Sequence, residues 1–534
     1  MFVNTQTRDR PGYGYACQPG VYRSRNISTI CMKTKLILDF DSPIHYVQGM
    51  MSTPSIVKRL QEIVGKDNVF DSPESRLAYS YDSTAGLSAM PMAAVRPASA
   101  EHISRIVRLA NEEHFPVVPR GSGTGLSGGA IPLNNAVVVL TNHWNHVLEI
   151  DEENLTVTVE PGVITGQLHQ AVEKVGLMYP PDPGSSTICT IGGNVAENAG
   201  GLRGLKYGVT KNYVLGLEVV LPTGEILFTG GKMVKDVAGY NLKDILTGSE
   251  GTLGIITRIV LKLIPKPESS RTMLAFYPTM DDAAKTVSAI IAAKITPAML
   301  EFLDNTTIRC VDDYAHLGLP TESAAMLLIE VDGRQSVVDE DAALVMEICK
   351  KHHATSLKRA ETEQEALKLK AARRSAFTSL ARVRPTTIME DVGVPRSRIP
   401  ELVSRINEIA KKHNIMIGNF GHAGDGNLHP NYLTDSRDRE EYARAEKTVF
   451  EVEEAAIKLG GTITGEHGVG LYKKPLLESM VGSPAIKMMQ TLKAMMDPNM
   501  IMNPGKIFEP KPRCEGVLPR ERDQIKKFEE VAWI

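Results

Sequence analysis

Glycine is concentrated in three short segments of the N-terminal half, and no other property of the sequence limits the possible folds as sharply. They are Pro119-Arg-Gly-Ser-Gly-Thr-Gly-Leu-Ser-Gly-Gly129, Ile191-Gly-Gly-Asn-Val-Ala-Glu-Asn-Ala-Gly-Gly201 and Gly248-Ser-Glu-Gly-Thr-Leu-Gly254. Glycine tolerates positive φ and lets its backbone approach a ligand closely, so such loops present successive N–H groups to an anion. Gly123, Gly125 and Gly128 satisfy G-x-G-x-x-G, but a Rossmann loop must open a helix whose N-terminus holds the pyrophosphate. Here Ala130-Ile-Pro-Leu-Asn-Asn135 follows, with Pro132 and no helical stripe, so a nicotinamide-Rossmann site is rejected. The absence of a following Lys-Ser or Lys-Thr excludes a Walker loop. A tight surface turn would explain any one segment. All three, placed between strands of one α/β domain, predict a long ligand carrying a diphosphate.

The flanking pattern supports such a domain. Ile103, Ile106, Val107 and Ala110 recur at helical spacing, and residues 115–119 read as a short buried strand. Leu155, Val157 and Val159 alternate with threonines, and residues 214–221 and 225–229 form a strand–turn–strand through Pro222-Thr-Gly224. A strand over 255–264 closes the region, with Pro265 and Pro267 marking a boundary. Beyond 270, helices over 280–294 and 338–352 are interspersed with strands over 325–331 and 415–420, an α+β pattern. At about 100–200 residues per domain, 534 residues predict two to four domains. We expect an extension or over-long start at 1–50, with Met50 or Met51 as initiator. A first domain follows at 51–270, a second at 271–509, and a proline-rich, then charged tail at 510–534.

Composition removes several function classes. Sixty basic against sixty-three acidic residues leave a formal charge of −3, so no overall field draws the chain to nucleic acid. Its apolar runs fall well short of the roughly 18 residues needed to span a bilayer. The six cysteines (17, 31, 189, 310, 349 and 514) contain no CxxC pair, which argues against an iron–sulfur or structural zinc site and fits a reducing cytoplasm.

The second domain carries Gly421-His-Ala-Gly-Asp-Gly-Asn-Leu-His-Pro-Asn431. Asp425-Gly426 is a favoured two-residue hairpin turn. With that turn His422 lies directly opposite His429, Cβ atoms about 4.5–5.5 Å apart, and Asn431, opposite Phe420, reaches the same face. Further on, Thr462-Ile-Thr-Gly-Glu-His-Gly-Val-Gly470 is too glycine-rich for a helix and suits an exposed loop. Gly465 and Gly468 permit Glu466 and His467 to turn towards one site. His422, His429 and Glu466 make a His₂–carboxylate set with open coordination positions, the pattern of a catalytic metal. Ordinary polar strand and loop residues would explain either motif alone; their co-occurrence favours the metal.

The three glycine segments together with Tyr179-Pro-Pro-Asp-Pro-Gly184 resemble the FAD-binding domain of the vanillyl-alcohol-oxidase type. Their order and spacing are most similar to the FAD-linked D-2-hydroxyacid dehydrogenases, over about residues 55 to 509. That family includes D-lactate dehydrogenase and the FAD-linked component of glycolate oxidase. The resemblance implies an α+β chain: an FAD-binding domain of two α/β subdomains, then a C-terminal α+β substrate domain with an antiparallel sheet. It places the FAD on Arg120, Gly121, Ser122, Gly123, Thr124, Gly125 and Ser127, on Pro183 and Gly184, and on Gly192, Gly193, Asn194, Asn198 and Gly200. It adds Glu250, Gly254, Ile255 and Asn503. Because Gly-Ser-Gly-Thr stands where relatives with covalent FAD have histidine, FAD is expected to be non-covalent. The resemblance also assigns His422, His429 and Glu466 to zinc or manganese, His467 as base, and Arg373 and Asn431 as further catalytic residues. Arg373 would bind the substrate carboxylate, although lysine replaces the tryptophan usual before it. Met389 offers no second cation, which favours a short monocarboxylate.

The expected reaction is oxidation of glycolate or D-lactate to the 2-oxoacid with hydride passing to flavin N5. The expected electron acceptor is an iron–sulfur or flavin partner subunit, a quinone, a cytochrome or an electron-transfer flavoprotein. Homodimerisation and peripheral attachment to the inner membrane through partners are left open. The alternatives are a non-catalytic flavin relay protein, a flavoenzyme of the alkylglycerone-phosphate synthase or sugar-alcohol oxidase type, and a metal-dependent hydrolase without flavin.

Overall fold

The computed structural model describes residues 53–508. The expected extension at 1–50, the tail at 510–534 and Cys17, Cys31 and Cys514 lie outside them.

Two small sheets and a two-stranded ribbon, Leu177–Met178 with Ile264–Pro265, build the N-terminal half. The first has the order Val69–Phe70, Ala93–Val95, Val137–Leu140, Val117–Arg120, its last three strands parallel. Against it packs helix Ala100–Glu113, which turns Ile103, Ile106, Val107 and Ala110 inward; Ser99 Oγ caps it by accepting the N–H of His102. The parallel strand Val117–Arg120 ends where the first glycine segment begins, so the loop is delivered at the carboxyl end of a strand. The second sheet is antiparallel, in the order Val147–Asp151, Thr156–Val159, Ile255–Lys262, Val214–Val220, Ile226–Gly230. The turn at 222–224 joins its last two strands as the sequence implies.

The second glycine segment differs from expectation. Residues Ile191–Glu197 form a short helix, with Thr190 Oγ1 accepting the Gly193 N–H at its start and Asn198 in the left-handed conformation at its end. Gly192 at the helix start admits Pro161, since a Cβ there would lie 2.6 Å from Pro161 Cβ, and a Cβ on Gly193 would crowd the capping Thr190 hydroxyl at 3.2 Å.

From Ser269 the chain enters a third, eight-stranded sheet that is antiparallel throughout and carries the functional hairpin Met416–His422 and Asn427–Thr434. One of its faces packs on a core containing Phe302, Tyr277 and Tyr432, each contributing about 2–3 kcal/mol through burial. Its other face, with Leu303, Leu328 and Phe420, takes helix Glu363–Arg374. The C-terminal segment then returns to the first half: Val117 N–H donates to Ile501 O, and Asn503 N–H to Val117 O. Glu250 locks the halves together by accepting the N–H groups of Val469 and Gly470, both at 2.7 Å.

Candidate active site

The glycine segments line a cavity of about 490 Å³ that extends to the eight-stranded sheet. Of the residues named from sequence, all but Ser127, Asn198, Asn503 and Asn431 border it. Those four make other contacts. Ser127 O accepts the N–H groups of Leu471 and Tyr472, Asn198 Oδ1 accepts the N–H of Lys211, and Asn503 Nδ2 donates to Gly129 O and Glu250 O. Asn431 is fully buried and donates to Gly418 O and His429 O.

The hairpin register corrects the one expected from Asp425-Gly426. His422 pairs with Asn427, Phe420 with His429 and Gly418 with Asn431, so four residues, 423–426, make the connection. Neighbouring strands shape this longer turn. Gly424 N–H donates to Leu300 O, Val394 N–H to Gly426 O, and the N–H groups of Asp425 and Gly426 both reach His422 O. The two histidines are therefore diagonal rather than opposite. They still share one face, with ring centroids 5.1 Å apart and planes at 87°.

Glu466 completes the set. Its Oε1 lies 3.1 Å from His422 Nε2 and 3.3 Å from His429 Nε2. Ligand atoms about 2.0–2.2 Å from a tetrahedral ion stand roughly 3.3–3.5 Å from each other; the Glu466–His429 spacing lies in that range and the Glu466–His422 spacing just below it. Burial raises the Glu466 carboxyl, but His422 and His429 together outweigh that and hold it well below the ordinary range. Burial likewise disfavours the charged His422 ring, and the carboxylates of Glu301 and Glu466 reverse the sign. Gly200 lets Glu466 approach: a Cβ there would overlap its carboxylate.

His467 stacks on His429 at 5.0 Å and 11°. Burial lowers its pKa to about 4 despite the nearby Asp391 carboxylate, so the ring is neutral at neutral pH. Arg373 lies in the last turn of its helix with its guanidinium 4.4 Å from the Phe420 ring centre and 2.8 Å from Glu301 Oε2.

Sequence reasoning missed two buried carboxylates. Asp391 Oδ2 accepts the N–H groups of Gly465, Glu466 and His467 and the Thr464 hydroxyl, at 2.8–2.9 Å. Burial would raise this acid, but His467 and Lys473 hold it below the ordinary range. Glu301 contacts His422 Nδ1 at 2.6 Å. An acid inside the apolar run Met-Leu-Glu-Phe-Leu was the available signal for Glu301. For Asp391 it was the Glu-Asp pair closing the strand Thr386–Met389.

Comparison with known proteins decides the family. Residues 91–230 match the FAD binding domain and residues 266–507 the C-terminal domain of FAD linked oxidases. The glycolate oxidase subunit GlcD of Bacillus subtilis (strain 168) is 54% identical over 470 residues, 88% of this chain and 100% of that protein. This chain belongs to the FAD-linked oxidases. A D-lactate dehydrogenase of Anaerostipes hadrus is 36% identical over 85% of this chain and 97% of its own length. The structure of p-cresol methylhydroxylase with substrate bound shares the fold, at 19% identity and a TM-score of 0.73 over 86% of this chain and 97% of that one. This FAD-linked oxidoreductase therefore has the vanillyl-alcohol-oxidase-type α+β architecture expected from its motifs, and FAD is its cofactor. Among the described residues no helix is long and apolar enough to cross a membrane.

Proposed function

We propose that this oxidoreductase converts a short D-2-hydroxy acid, glycolate or D-lactate, to the 2-oxoacid. FAD is held non-covalently, and zinc or manganese is held by His422, His429 and Glu466. One observation carries the proposal: an arginine, a His₂–carboxylate donor set and a neutral histidine converge on the cavity lined by the flavin-binding glycine segments. The similarity to GlcD and to D-lactate dehydrogenase supports the substrate class. When bound, the flavin supplies a hydride acceptor and the cation acidifies the substrate hydroxyl.

The chain's own residues do the rest. Arg373, spread over Phe420, takes the substrate carboxylate with guanidinium N–H groups not committed to Glu301. His467 accepts the hydroxyl proton; its neutrality makes it competent as a base without prior deprotonation. Apolar Met389, Phe377 and Leu202 exclude water from the substrate side and suit a short substrate. The cysteines Cys189, Cys310 and Cys349 are scattered, so the electrons pass to an outside acceptor: a partner subunit, quinone, cytochrome or electron-transfer flavoprotein. The word "subunit" in the GlcD name supports a partner.

Anaerobic bleaching of the flavin by glycolate, D-lactate, L-lactate and D-2-hydroxyglutarate, repeated after chelation, tests the proposal. Rapid bleaching by glycolate or D-lactate that chelation abolishes supports it. No bleaching by any of the four would favour a flavin relay protein.

A further inference from the structure

Glu301 occupies the middle of strand Met299–Asp304 and is fully buried. Its neighbours in sequence, Leu300 and Phe302, face one core of the sheet; Met299 and Leu303 face the other, where helix Glu363–Arg374 lies. A carboxylate at such a position is costly unless partners compensate it. It has two, from different elements. The strand register sets Glu301 directly opposite His422, and Oε1 meets Nδ1 at 2.6 Å. Oε2 stands 2.8 Å from Arg373 Nη2. Both partners line the cavity: His422, whose Nε2 lies beside Glu466, and Arg373, whose guanidinium lies over Phe420.

We propose that Glu301 is a positioning residue that ties the ion site to the substrate-carboxylate site, one oxygen orienting His422 and the other holding Arg373. An Nδ1–H donated to Glu301 leaves Nε2 bare for a metal and fixes the ring plane. The other oxygen anchors one edge of the guanidinium so that the rest of the fork points at the substrate. One side chain thus sets the spacing between the two groups that must grip opposite ends of a 2-hydroxy acid. The inference rests on the metal-assisted function proposed above.

The test uses the full FAD-loaded chain. Mn²⁺ is titrated by the electron paramagnetic resonance of the free ion, and kcat and KM are measured with D-lactate and glycolate. Glu301→Gln keeps the volume but places an amide against Arg373. It should weaken Mn²⁺ binding about 10- to 100-fold, the range for outer-sphere partners of metal-bound histidine, and raise KM about tenfold. Glu301→Asp keeps the charge but falls one methylene short of reaching both partners, so it should weaken Mn²⁺ binding by a smaller factor. Asp497→Asn is the control for merely structural damage. Asp497 is a buried carboxylate that accepts the N–H groups of Ile501 and Met502, and its loss should lower Tm without moving Mn²⁺ affinity. Should Glu301→Gln fail to fold, Glu301→Asp decides. Wild-type Mn²⁺ affinity in the Glu301 variants overturns this inference alone. A wild-type protein that binds no Mn²⁺ overturns both it and the metal-assisted function.

Discussion

Asp391 Oδ2 accepts the backbone N–H of His467 at 2.9 Å, so a residue just beyond one strand sets the conformation of the loop that carries the proposed base. The same oxygen gathers the N–H groups of Gly465 and Glu466. Asp391→Asn replaces a charged acceptor by a neutral one and leaves the buried Lys473 without this counter-charge. We expect a fall in kcat of about 100-fold and a loss of stability of about 3 kcal/mol, with FAD retained. Stopped-flow bleaching and thermal unfolding measure the two; unchanged turnover would show that the loop holds its shape without the carboxylate.

Gly468 has φ +81°, and a Cβ there would overlap the Glu197 carboxylate and crowd Glu250. Gly468→Ala therefore costs about 1–2 kcal/mol in backbone strain and displaces the adjoining His467. Turnover should drop at least tenfold while flavin absorbance at saturation stays that of the wild type. Full activity in this variant would mean that the loop tolerates the shift.

Arg373→Lys keeps a positive charge but loses the planar fork. The expected result is a 10- to 100-fold rise in KM for the hydroxy acid, about 1.4–2.7 kcal/mol of binding, with a smaller change in kcat. Steady-state kinetics with D-lactate separate the two. A kcat loss at constant KM would place Arg373 in a different role.

Burial lowers the Lys506 ammonium to about 7, although Asp82 and Glu250 pull the other way. The unfolded chain has an ordinary lysine, so between about pH 7 and 10.5 it binds more protons than the folded one. The Lys506 contribution to stability therefore rises with pH across that window and is flat below it. Relative to Lys506→Met, the wild type should gain about 2 kcal/mol between pH 7 and 9. Parallel unfolding curves for the two proteins would mean that Lys506 stays charged.

Most of the site was legible because its chemistry is written in local motifs. The glycine segments, the two histidines and the Glu-His pair are each contiguous, and glycine spacing marks where the backbone must turn. What escaped was set by packing across the sheet. The register of the His422 hairpin depends on bonds from Gly424 to Leu300 and from Val394 to Gly426, which join residues far apart in sequence. Asp391 and Glu301 bond to residues 76 and 121 positions away, so a local pattern can mark each as an acid in an apolar setting but cannot name its partner. The helix at Ile191–Glu197 was missed because two glycines oppose helix formation; close contact with Pro161 and a threonine cap override that propensity.

In the proposed function the His422–His429–Glu466 set makes the substrate hydroxyl acidic beside the flavin. Anaerobic bleaching by D-lactate in the His422→Ala/His429→Ala double variant tests it most directly, with FAD content confirmed by absorbance. The flavin should be retained and the bleaching rate reduced at least about 1000-fold, equivalent to about 4 kcal/mol of barrier. Bleaching at the wild-type rate would contradict it.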